Sequence, residues 1–289
     1  MHRPKNLKTL IFLDSGDWQD TTKALDALGF LDGQTTNPSL IAKSPTAIAR
    51  LESGKKFEKS ELLDFYQQTV QHIQVLIPEG SVSIEVFADA NSTDSELLKQ
   101  AKQMQSWAKN NHIKFPIVKA GVQAASQIVV DSGSVNMTLC FNQSQALAVH
   151  LAMSGATLTN QVLISPFVGR LNDQGLDGLS LIKNIQRMYN LLNSPVQILA
   201  ASIRSLEDFL ELLAMEVDII TAPVNILEEW GKLGMPIPEP KSSLRSGNLK
   251  SIDYLEFAPE SNWQNLSLED SMTDMGLVKF VKDWNALIV

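Results

Sequence analysis

The 289-residue sequence has a single cysteine, Cys140, which rules out an internal disulfide and suits a reducing compartment. Metal ligands are scarce as well. The four histidines, His2, His72, His112 and His150, fall in no ligand spacing, so no metal centre is expected. No apolar run approaches the roughly 18 residues that a membrane span requires. The polar stretch "MHRPKNLKTL" has no apolar segment of the secretory kind, so a cytoplasmic location is expected. Positive charge is in deficit, with 24 Lys and Arg against 32 Asp and Glu for a net charge of −8. Without a basic run, nucleic acid and anionic membranes are poor partners, and an anionic ligand would need a local pocket of arginine. No GxGxxG follows any strand-like run, which counts against a dinucleotide cofactor. The acidic run "DANSTDSELLKQ" from Asp89 has Asp94 and Gln100 where a calcium loop needs Gly and Glu. It reads instead as a loop feeding a helix.

What the sequence does contain is a repeated alternation. Eight short β-branched or apolar runs occur at 10–14, 33–36, 82–87, 112–116, 134–139, 161–166, 196–201 and 217–221. Each precedes a segment of helical periodicity, such as "SELLKQAKQMQSWAKN" or "SLEDFLELLAM", with Ser39 and Ser205 as helix-start signals. Eight such units predict one (β/α)8 TIM barrel spanning 1–289, since that fold typically takes about 250 residues. A doubly wound open sheet is the alternative. The segment 231–275, rich in Pro, Ser and Asn, is expected to be a surface excursion. After it, Leu277, Phe280, Val281, Trp284 and Leu287 form one apolar stripe, read as a helix packing back on the barrel in preference to a subunit contact.

In such a barrel, chemistry sits at the C-terminal ends of the strands. Polar residues cluster there: Asp14, Asn37, Glu85, Lys114, Asn136 and Thr138, Ser165 and Arg170, Ser202 and Arg204. Each has a bland alternative. Asp14 could start a turn, Asn37 could cap the helix opened by Pro38 and Ser39, and the two arginines could be solvated. Glu85 and Lys114 could be a buried ion pair, although burying both without a role is costly. Chance would not place so many polar groups at one end of apolar strands.

The segments "DGQTTNPSL" (32–40), "VNMTLCF" (135–141), "ISPFVGR" (164–170) and "LAASIR" (199–204) resemble the signature segments of the transaldolase family. These are class I aldolases that use a lysine Schiff base and neither metal nor cofactor. The resemblance runs from Phe12 to about Ile226, in the family's order. It implies sugar phosphate partners and a place in the pentose phosphate pathway, and it leaves room for a homo-oligomer.

Two lysines compete for the role of nucleophile in "IKFPIVKAGV" (113–122). Pro116 cannot donate to a strand ladder, so the strand should end there, leaving Lys114 within the rim and Lys119 beyond it. Enclosed by apolar neighbours, Lys114 would lose the hydration that favours its ammonium form and be freer to attack a ketone. The family's lysine segment, K-[IV]-P-[VI]-T-x-x-G-[LV], fits in the same register, except that Val118 stands where the family usually has Thr.

By the resemblance, Asp14 is the base for the substrate hydroxyl, and Glu85 passes protons with a water held by Thr138. Asn37, Asn136 and Ser165 hold the hydroxyls of the three-carbon unit. Arg170, Ser202 and Arg204 bind the phosphate. The related fructose 6-phosphate aldolases look to carry Gln at the position of Glu85 and Tyr at that of Phe167. Glu85 and Phe167 thus imply transfer, with cleavage of the aldolase type as the alternative and a noncatalytic barrel as a third reading.

Overall fold

A computed structural model describes residues 2–157, 161–239, 249–257 and 262–289. Its strands are β1 (Leu10–Asp14), β2 (Gly33–Thr35), β3 (Ser81–Glu85), β4 (Asn111–Pro116), β5 (Val135–Cys140), β6 (Val162–Pro166), β7 (Gln197–Ala200) and β8 (Ile219–Ala222). All neighbours pair in parallel, and β8 closes on β1. The fold is therefore a (β/α)8 TIM barrel, and the open-sheet alternative does not apply. Each strand is short and almost continuously buried, because residues facing the axis and residues facing the helices are both covered.

Local chemistry sets most helix starts. Ser205 caps Leu206–Ala214 by accepting from the Asp208 amide at 3.1 Å. The acidic run after Asp89 becomes a capping box, in which Thr93 and Glu96 bond each other's backbone at the start of Asp94–Met104. That helix stops at Met104, well short of the periodic stretch read from the sequence. Ser39 is not a cap: Asn37 takes that role for Pro38–Ala42, accepting from the Leu40 amide at 2.9 Å, while the Ser39 hydroxyl bonds Asp283.

The last helix, Ser271–Asn285, lies against β5 and the helix Pro38–Ala42, and so over the C-terminal end of the barrel. It buries Met272, Thr273, Gly276, Leu277, Phe280 and Trp284. Leu287 is also buried, whereas Val281 is partly exposed.

Candidate active site

The two competing lysines lie in different environments, Lys114 on β4 and Lys119 beyond its end. Pro116 is the last residue of that strand, and Lys119 opens the helix Lys119–Val130 on the surface. That helix returns so closely that a Cβ on Gly121 would stand 2.1 Å from the Pro116 carbonyl oxygen, so only glycine fits there. Val118 occupies the N-cap position and offers no side-chain bond, which identifies what a threonine would add. Lys114 points into the barrel with its side chain 4% exposed.

The surroundings of Lys114 correct the expectation of an apolar cage. Its Nζ lies 3.0 Å from Glu85 Oε2 and donates to the Thr36 carbonyl at 3.1 Å. Barrel register produces this meeting, because Glu85, Lys114 and Asn136 are direct partners on β3, β4 and β5. Burial raises the pKa of Glu85, while the Lys114 charge opposes the shift.

The segment "TTNPS" supplies several of the contacts around the lysine. Thr35 Oγ1 donates to Asp14 Oδ1 at 2.7 Å. The Thr36 carbonyl receives Lys114, and the Thr36 hydroxyl pairs with Tyr66 Oη at 2.6 Å. Asn37 is committed through Oδ1 to its helix cap. Desolvation raises the pKa of Asp14, and the charge of Lys114, the Thr35 hydrogen bond and the charge of Lys43 act against it. A carboxylate that is partly desolvated and held by one hydroxyl is a stronger base than one in water.

A cleft of about 210 Å³ opens over these groups. Asp14, Asn37, Lys114, Ser165, Phe167, Arg170, Ser202 and Arg204 all line it. Glu85, Asn136 and Thr138 are buried behind that lining. Asn136 Oδ1 accepts from Ser165 at 2.7 Å, and its Nδ2 donates to Ser83 Oγ at 3.2 Å, so it reaches the cleft through Ser165. Thr138 Oγ1 has no protein hydrogen-bond partner among the described residues.

The two arginines differ. Arg204 is half exposed and paired with Asp173. Arg170 makes no hydrogen bond or ion pair among the described residues, and its guanidinium lies over the rings of Phe167 at 5.0 Å and Phe141 at 5.8 Å. Burial, followed by the nearby charge of Arg204, lowers its pKa from the usual arginine value. A cation under that strain favours an incoming anion.

Sequence reasoning did not place Thr35, Thr221, Lys43, Lys279 and Phe280 at the site, and they line the cleft together with Ser39, Leu40 and Ala201. Thr35 lies inside a recognised segment and was within reach. Lys279 and Phe280 come from the last helix, whose sequence announces only an apolar stripe.

The fold and this cleft together define a class: a (β/α)8 barrel whose C-terminal mouth holds a buried lysine between carboxylates, with an arginine at the rim that has no ion-pair partner among the described residues. Comparison with known proteins narrows the class. The model of the Transaldolase/Fructose-6-phosphate aldolase family matches residues 11–288, and the chain belongs to that family. A probable transaldolase of Dehalococcoides mccartyi is 36% identical over 277 residues, covering 96% of this chain and 98% of that protein. Similar matches are the probable transaldolases of Roseiflexus castenholzii, 31% identical with 96% and 97% covered, and Methanococcus maripaludis, 32% identical with 95% and 97% covered. Among the described residues, no helix is long and apolar enough to cross a membrane.

Proposed function

We propose that this chain is a cytoplasmic transaldolase that moves a dihydroxyacetone unit from a ketose phosphate to an aldose phosphate through a Schiff base on Lys114. Sedoheptulose 7-phosphate or fructose 6-phosphate is the donor, and glyceraldehyde 3-phosphate or erythrose 4-phosphate the acceptor. The observation that carries this reading is the position of Lys114: its amine reaches the floor of a polar cleft, paired with Glu85 and electrostatically coupled to Asp14.

The neutral amine attacks the ketone carbon, and the carbinolamine loses water to give an iminium. Asp14 accepts the proton of the adjacent hydroxyl as the carbon–carbon bond breaks. The bonding electrons enter the iminium as an enamine, and an aldose leaves. The enamine then attacks the acceptor aldehyde, Asp14 returns its proton, and water releases the product ketose. Glu85, beside the amine, exchanges protons during gain and loss of water, with Thr138 offering that water a hydroxyl that has no protein partner among the described residues. Arg170 and Arg204 hold the phosphate, which displaces Asp173 from Arg204.

Borohydride added during turnover of fructose 6-phosphate should fix a three-carbon adduct on Lys114 and leave Lys119 unmodified. Trapping on Lys119, or full activity in Lys114→Ala, would refute the assignment. The aldolase reading is separated by Phe167, whose ring packs edge-on to Phe141 and carries no hydroxyl to protonate the enamine. Steady release of dihydroxyacetone without an acceptor would favour cleavage, and Phe167→Tyr should increase that release.

A further inference from the structure

We infer that Gly276, on the C-terminal helix, determines specificity for phosphorylated substrates by leaving the space in which the Arg170 guanidinium is oriented; this rests on the reading of Arg170 as a phosphate ligand. Gly276 is buried in the interior of Ser271–Asn285, where glycine is unfavourable relative to alanine. Its backbone does not call for glycine, because its φ is not positive. The reason is a close approach. A Cβ at this position would stand 2.7 Å from Arg170 Nη1 and 2.6 Å from Leu139 Cδ2. Neither separation is tolerated between unbonded heavy atoms, so something must move.

The helix is the part least able to move. One turn earlier, Thr273 Oγ1 donates to the Leu139 carbonyl at 2.9 Å and accepts from Gln145 Nε2 at 2.8 Å. Leu139 itself lies in a β-bulge of β5 with φ of 62°, and this bond holds its carbonyl. Towards the helix end, Asp283 receives the Ser39 hydroxyl. Arg170, in contrast, has no hydrogen bond or ion pair among the described residues to fix its head group. Its orientation comes from packing, with Gly276 on one side and the Phe167 and Phe141 rings near by. A methyl group at 276 would therefore turn the guanidinium, the flexible end of a long side chain, away from the phosphate.

The test uses the full chain with unphosphorylated D-erythrose as acceptor, so that both donors give sedoheptulose and a distinct three-carbon aldose, and compares fructose 6-phosphate with unphosphorylated fructose as donors. Gly276→Ala should raise KM for fructose 6-phosphate by about tenfold, as loss of a charge-assisted hydrogen bond would. Its kcat, and its kcat/KM on fructose, should stay within about twofold. In an Arg170→Ala background, Gly276→Ala should add nothing, because the two act through one group. Its Tm should fall by no more than a few degrees, because the helix propensity gained at alanine offsets part of the cost of displacing Leu139 Cδ2 and the guanidinium. An unchanged KM in Gly276→Ala, alongside a selective loss in Arg170→Ala, would overturn this inference alone. Equal losses on both donors in Arg170→Ala would overturn the phosphate assignment and the inference with it. A clearly lowered Tm in Gly276→Ala, with both donors impaired, would show that the helix had moved instead, and would also overturn it.

Discussion

Replacing Lys114 by methionine should make stability depend on pH in a way the parent does not. The substitution keeps most of the side-chain volume but leaves Glu85, 3% exposed, without the cation 3.0 Å away. Breaking a buried pair by removing one partner costs about 3 to 5 kcal/mol. Glu85 can avoid that cost by taking up a proton. Burial already raises its pKa above the ordinary 4.5, and Lys114 is the main group opposing that rise, so the variant's folded pKa must be higher still. The folded state then binds more protons than the unfolded chain between the two pKa values, and stability falls as pH rises through that window. Each unit of pKa difference corresponds to about 1.36 kcal/mol, so the full cost spans roughly 2 to 4 pH units. Near pH 4 the variant should match the parent to within about 1 kcal/mol. By pH 8 its Tm should lie on the order of 10 °C lower. Thermal and urea unfolding at pH 4 to 8 measure this directly, and the double variant Lys114→Met/Glu85→Gln should lose the part due to Glu85 and keep only the part due to Asp14, whose raised pKa Lys114 also opposes. A stability difference between Lys114→Met and parent that is constant across this range would refute the account of the pair.

Three further outcomes are expected. Thr35→Val removes the hydroxyl that donates to Asp14 and lowers its pKa, so that pKa should rise and the acid limb of kcat/KM against pH should move to higher pH; an unmoved limb would exclude Asp14 as the base. Thr138→Val removes a buried hydroxyl that has no protein partner among the described residues, so stability should change by less than about 0.5 kcal/mol while kcat falls on the order of 100-fold; a parent-like kcat would remove Thr138 from the mechanism. Val118→Thr should supply the missing cap of Lys119–Val130 and raise stability by about 1 kcal/mol in urea unfolding, with activity retained; no gain would mean that the cap geometry does not form.

The barrel was legible in the sequence because its information is local. Eight short apolar runs separated by helical periods can be satisfied by few other arrangements, and each run lies on a strand of the structure within a residue or two. The order of the two lysines was also local: Pro116 stops β4, which puts Lys114 inside and Lys119 on the next helix. Tertiary structure alone decided which polar residues meet. That Lys114 sits against Glu85 and the Thr36 carbonyl instead of an apolar cage depends on register between strands, which no single segment encodes. That Arg204 is engaged by Asp173 while Arg170 is left to aromatic rings depends on where neighbouring loops close. The approach of Gly276 to Arg170 joins residues 106 positions apart in the chain. Helical periodicity shows which face of the last helix is buried, but it carries no information about what that face is buried against.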